Sequence, residues 1–213
     1  AVLISTYLSI FDELKLQLRL GQIPQFWTSP ESIREPVDWR QREWSFVGGG
    51  DVNFEKFLIS LIPKQIPTVY LEGYTRLLRQ VQTLPWPRQP SLIFTSNVLW
   101  FDTLAMAYTG DKVTKGTKLL YGQHGGVYGV AKFTWAEEHE VAIADQYLTW
   151  GWSDPTRPKI KPIGIFKPLK QTKRSDFLKR RLILVTQNSS RYNYRLCSEA
   201  VDFFENYFEN SFR

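Results

Sequence analysis

Between residues 91 and 150 the chain alternates short apolar runs with longer amphipathic ones, and no other feature restricts the fold as much. The runs "SLIFTSN" (91–97), "KLLYGQ" (118–123) and "QYLTWGW" (146–152) read as short buried strands. Between them, "VLWFDTLAMAYTGD" (98–111) predicts a helix ending at Gly110, and "TWAEEHEVAIAD" (134–145) predicts another. Strand, helix, strand, helix with short gaps calls for crossover connections, hence an α/β fold with a parallel sheet. "KIKPIGIF" (159–166) and "RLILVTQ" (181–187) are further expected strands, and "YRLCSEAVDFFENYF" (194–208) is an expected terminal helix.

The first 90 residues read as mostly helical. "LSIFDELKLQLRL" (8–20) has helical apolar spacing and stops at Gly21. "IPQFWTSPESIREPVDWRQREW" (23–44) predicts loop with short helical pieces. Asp51 is placed to cap a helix from Val52 to about Ile62, closed by Pro63. Gly48 to Gly50 read as a turn, since no Lys-Ser/Thr follows to make a phosphate loop. The strongest helical pattern is 66–84, with Ile66, Tyr70, Tyr74, Leu77, Leu78 and Val81 in one stripe.

Bulk properties exclude several classes. A chain of 213 residues with 43% hydrophobic and 23% charged residues is globular in character. No run approaches the roughly 20 apolar residues that span a bilayer. A single cysteine, Cys197, excludes an internal disulfide framework and a cysteine zinc site, and fits a reducing compartment. The net charge of +6 is concentrated: residues 151–181 hold ten Lys/Arg against two Asp. That segment reads either as a solvated linker or as an attractor of phosphates or anionic lipid. No standard nucleic-acid motif is present, so no nucleic-acid partner is expected. The start "AVLIS" reads as interior sequence without a signal peptide, and the end as a helix cut soon after it forms.

In parallel α/β sheets ligands sit beyond the carboxyl ends of the strands. Three expected strand ends carry polar or small residues: Thr95–Asn97, Gly122–Gly126 and Thr186–Arg191. His124, one of only two histidines, lies in "GQHGG". Gly125 and Gly126 remove bulk and permit positive φ, so an anion can approach the main chain. A histidine there can take a proton from a hydroxyl or steady a departing phosphate; equally, it can be a structural histidine satisfied in a tight turn. Gln123, Gly125 and Gly126, with Ser189, Ser190 and Arg191, are candidate donor- and phosphate-binding residues. Glu138 is the carboxylate chosen from "EEHE" to reach the same cleft, with a solvated face as its alternative. Asp102 is a candidate base that also suits a helix cap. His139 is expected to be structural. No aspartate pair suggests a metal, and no cofactor is expected.

The ordered series "QHGGVYG", "EEHEVAIADQYLTWGW", "KPIGIFK" and "LILVTQ", with Asp145, Tyr147, Trp150, Gly151 and Trp152, resembles a family of bacterial transferases for surface carbohydrates. These are similar to two-Rossmann-domain (GT-B) glycosyltransferases, and the resemblance is clear over about residues 91–195. It implies transfer of a sugar from a nucleotide-sugar donor to a bacterial surface polysaccharide or lipopolysaccharide, with a glycan or lipid-linked acceptor. It also implies that His124 lies in an interdomain cleft. The expected organisation is an acceptor-side region at 1–90, a Rossmann-like domain and crossover at 91–180, and at 181–213 the start of a nucleotide-sugar-binding domain otherwise missing after Arg213. The expected location is cytoplasmic, with peripheral contact at the anionic inner face of the membrane. A nucleotide-sugar epimerase, a glycerophosphotransferase-like enzyme and a non-catalytic binding module for anionic ligands or glycans are the competing readings.

Overall fold

The first strand of the sheet comes from the start of the chain, where the sequence alone predicted none. In the computed structural model, which describes residues 1–26, 30, 34–45, 53–167 and 209, β1 (Val2–Ile4) pairs in parallel with β2 (Leu92–Thr95). Strands β3 (Lys118–Gly122), β4 (Gln146–Thr149) and β5 (Ile160–Pro162) follow in sequence order, every neighbouring pair parallel. The result is an α/β fold with a five-stranded parallel sheet and five α-helices among the described residues. Among those residues the strand order never reverses, unlike a doubly wound sheet with a switch point.

The helices are α1 (Ile10–Arg19), α2 (Asn53–Gln65), α3 (Tyr74–Thr83), α4 (Thr103–Val113) and α5 (Trp135–Ile143). Alternation along each strand sends side chains to opposite faces. Val2, Ile4, Ile93 and Leu119 meet Leu77 and Val81 of α3 and Leu104, Ala105 and Tyr108 of α4. Tyr121, Tyr147 and Ile160 continue that face and pack on Val141 of α5. Leu3, Phe94 and Leu148 point the other way, toward Leu16 of α1 and Phe166. Each such aliphatic side chain taken out of water contributes about 1.5–3 kcal/mol, so both faces are firmly set.

Several expected boundaries move, each for a local reason. The 66–84 pattern is broken: a 3-10 turn covers Thr68–Tyr70 and α3 begins only after Gly73. A Cβ on Gly73 would sit 2.9 Å from Glu35 Cγ, so the glycine serves a close approach. Gly110 lies inside α4; the left-handed stop is Gly116, at φ 95°. Pro63 lies within the last turn of α2 and does not end it. The carbonyls at that end are gathered by Arg42, whose Nη1 donates to Pro63 O (2.9 Å), Lys64 O (3.3 Å) and Ile66 O (2.9 Å). Glu72 holds the other edge of the guanidinium at 2.6 and 2.7 Å.

The chain divides into two compact units, Ala1–Leu169 and Lys170–Arg213. The division expected near residue 90 falls inside the first unit, because β1 belongs to the same sheet as β2–β5. The glycines 48–50, the Asp51 cap, the strand expected at 181–187 and the cluster Ser189, Ser190 and Arg191 lie outside the described residues, as does the 194–208 helix. Among the described residues no helix is long and apolar enough to cross a membrane.

Candidate active site

The parallel register Thr95↔Tyr121 brings the ends of β2 and β3 side by side, so Ser96 and Asn97 neighbour the turn that carries His124. Gln123 is the last inward residue of that turn. Its Oε1 accepts from Trp150 N (2.9 Å) and Trp152 Nε1 (2.8 Å), and its Nε2 donates to Gly125 O (2.8 Å). Buried and bonded through both its oxygen and its nitrogen, this amide fastens the His124 turn to the end of β4. Gly125 is required by crowding, since a Cβ there would lie 2.8 Å from the Tyr128 ring; the space around Gly126 is open. Neither has positive φ, contrary to the conformational role expected of them; the left-handed glycine of this loop is Gly129, at φ 76°. Gly129 N donates to Glu137 Oε2 at 2.7 Å, tying the loop to α5.

Beneath His124 lies a carboxylate that the sequence reading did not choose. Glu140 of α5 is wholly buried. Its Oε1 accepts from Trp100 Nε1 (2.7 Å) and Tyr128 OH (3.1 Å), and its Oε2 accepts from Tyr147 OH (3.0 Å). His124 Nδ1 lies 3.4 Å from Glu140 Oε1. Burial pushes Glu140 up to about 7; the three hydrogen bonds pull it partway back, and neighbouring Glu137 adds to the rise. Burial pushes His124 down, partly offset by the Ser96 backbone.

The Tyr128 hydroxyl stands 3.1 Å from Glu140 Oε1 and 3.3 Å from His124 Nε2, and its one proton can serve either. Nδ1 is buried and has no hydrogen-bond partner, so the 23% exposure of the side chain belongs to the remainder of the ring. A proton between Nδ1 and Oε1 would serve both groups. The arrangement is a partly exposed histidine whose Nδ1 lies beside a buried carboxylate, a neighbourhood that can orient and charge a general base.

The other candidates fall elsewhere. Glu138 is about half exposed and ion-paired with Arg157 at 3.0 Å; it is one residue from His139 and on a different helical face from Glu140. Asp102 caps α4, its Oδ1 accepting from Ala105 N at 3.0 Å. His139 packs its ring 5.4 Å from that of Trp100. In the basic segment, Arg157 also binds Glu137 and Asp154, and Lys159 Nζ donates to Ala142 O and Ala144 O. These cations brace α5 and β5. The structure thus joins His124, Gln123, Gly125 and Gly126, and leaves Glu138 and Asp102 with structural partners. Glu140 was discoverable from spacing: Glu137, Glu140, Val141 and Ala144 recur at three- and four-residue intervals on one helical face, and Glu138 does not.

Two clefts near the amino ends of the strands share Trp86, Pro87 and Gln89, and His124 lines neither. A protein-family model described as "LIC12162 family transferase" matches residues 1–213. No curated protein matches the chain, and no solved structure does.

Proposed function

The chain belongs to the LIC12162 family of transferases, and from that premise we propose that it transfers a sugar from a nucleotide-sugar donor to a bacterial surface polysaccharide or lipopolysaccharide acceptor. The observation that carries the reading is the half-buried His124 at the carboxyl end of β3 with a solvent-free Glu140 behind its Nδ1. In this reading the acceptor hydroxyl gives its proton to Nε2, and its oxygen bonds to the sugar's anomeric carbon. The bond from that carbon to the donor phosphate breaks, and its electron pair leaves with the nucleotide. Glu140 stabilises the imidazolium through Nδ1–H, as a base oriented by a third group requires. Main chain at the open Gly126 gives the departing phosphate a close approach; Ser189, Ser190 and Arg191 are candidate phosphate ligands by sequence alone. His, Arg and backbone donors suffice for that charge in principle. The GT-B architecture and the contact with an anionic membrane face belong to the same proposal.

The family speaks for group transfer over epimerisation. Against a purely electrostatic binding module stands the described part of the basic segment, where Arg157 and Lys159 bind internal partners. A glycerophosphotransferase remains the second transferase reading, since it would use the same base. The test is a panel of UDP-, GDP- and CMP-activated sugars and of CDP-glycerol, with the released nucleotide identified. Release of a nucleotide from an activated sugar, dependent on a glycan acceptor, is the expected result. Release from CDP-glycerol alone would replace the sugar with a glycerophosphate.

A further inference from the structure

The loop after β1 holds two non-glycine residues in the left-handed region, Ser5 at φ 50° and Tyr7 at φ 62°. Side chains with a Cβ enter that region under constraint, and such residues gather at functional sites. The constraint is visible. Ser96 N donates to Ser5 O (3.1 Å) and Ser96 Oγ to Thr6 O (3.3 Å). Buried Thr6 donates to Glu13 and accepts from Leu8 N. Glycine at 5 or 7 would meet the same backbone path without strain. The sequence instead carries two side chains that converge on one amide: Ser5 Oγ donates to Asn97 Oδ1, and Asn97 Nδ2 donates to Tyr7 OH, both at 2.6 Å.

We propose that Ser5, Tyr7 and Asn97 form a binding subsite for the hydroxyl groups of a sugar ring beside His124. This rests on the glycosyl-transfer reading above and names the group recognised. The cluster is neutral, which suits hydroxyls and not phosphate. Tyr7 accepts from Asn97 and keeps its own proton for a ligand oxygen; Ser5 keeps lone pairs for a ligand hydroxyl. All three lie at least partly open to solvent. A second observation points to the same place. The Tyr121 hydroxyl belongs to a wholly buried residue and lies among Trp100, Tyr128 and Glu140. Tyr7 is close enough to act electrostatically on both Tyr121 and Tyr128. The β1 loop and the His124–Glu140 pair therefore border one region at the carboxyl ends of β1–β3.

The ring could belong to the acceptor or to the donor, and one experiment separates these. Saturation-transfer NMR on the full chain would measure methyl pyranosides (gluco, galacto, manno) and UDP-, GDP- and CMP-sugars against Tyr7→Phe and Asn97→Ala. A tenfold or greater loss for the pyranosides alone supports the subsite and assigns it to the acceptor. A similar loss for an activated sugar, with its free nucleotide unaffected, supports the subsite and assigns it to the donor. Unchanged binding of both in the two variants overturns the subsite and leaves the transferase reading standing. Failure of every pyranoside and activated sugar to bind the parent chain overturns both. Ser5→Gly guards against a folding artefact: it should raise the unfolding midpoint while weakening sugar binding, whereas a merely structural Ser5 would leave sugar binding unchanged.

Discussion

Nδ1 of His124 stands 3.4 Å from Oε1 of Glu140, a carboxylate that solvent does not reach. Three donors from three elements converge on that carboxylate: Trp100 after β2, Tyr128 in the loop after β3, and Tyr147 in β4. The carboxylate that faces the histidine is thus held from three places, one of them a strand of the sheet.

Glu140 and His124 should tilt stability in opposite directions with pH. Glu140 is raised from 4.5 to about 7 in the folded chain. Its contribution is fully present below about 4.5 and is lost as pH rises through 7, up to about 3 kcal/mol by linkage. His124 is lowered from 6.5, so it costs stability as pH falls below that value. The two slopes oppose between about pH 4.5 and 6.5. Glu140→Gln leaves the histidine slope alone, so urea unfolding should show that variant gaining stability from pH 5 to 6.5 while the parent changes less. Parallel curves for the two proteins would contradict the assignment.

Removing one hydroxyl that serves Glu140 should be felt. Tyr147→Phe deletes the donor on Oε2 with little change of shape, and a hydrogen bond to a charged group is worth about 1.5–3 kcal/mol. Equilibrium denaturation near pH 8, where Glu140 is ionised, should show a loss of that size, shrinking near pH 5 as the carboxyl gains its proton.

Gly126 and Gly129 of the His124 loop should part company. Gly129→Ala meets both a φ of 76° and the Trp152 ring at 2.5 Å, and should cost about 1–3 kcal/mol or more. Gly126→Ala enters open space and should stay within about 0.5 kcal/mol of the parent. If bare main chain at 126 receives the donor phosphate, that same variant loses turnover despite its intact fold. Thermal unfolding and turnover measured together check both halves.

Arg42 joins the end of α2 to Glu72, with side chains only 2% and 5% exposed. The guanidinium hydrogen bond, ahead of the cost of burial, pulls Glu72 down to about 2. This contribution is present above the ordinary 4.5 and is lost as pH falls toward 2. Arg42→Ala should lower the unfolding midpoint at pH 7 and speed amide exchange in the last turn of α2, and its deficit should narrow in acid. Unchanged exchange there would remove Arg42 from its role as collector of those carbonyls.

The parallel α/β core was legible because buried strands bounded by turn residues leave a strong local signature: 92–95, 118–122, 146–149 and 160–162 all lie within runs read as strands. The turn at His124 was legible because paired glycines interrupt an apolar run. β1 was not: three apolar residues carry no periodicity, and only pairing with Ile93, Phe94 and Thr95 makes them a strand. Glu138 was preferred over Glu140 by nearness in sequence, but which carboxylate turns inward is decided by Trp100 and Tyr147, residues 40 and 7 positions away. The constrained Ser5–Tyr7 loop left no sequence signal, because its backbone is held by Ser96.

Turnover of the His124→Ala variant, on the donor and acceptor identified by the activated-sugar panel, tests the central claim most directly. The account predicts a fall of about 100-fold or more, the scale of lost acid–base help, with donor binding largely retained. Turnover close to that of the parent would take His124 out of the chemistry and leave the histidine as a structural part of the turn.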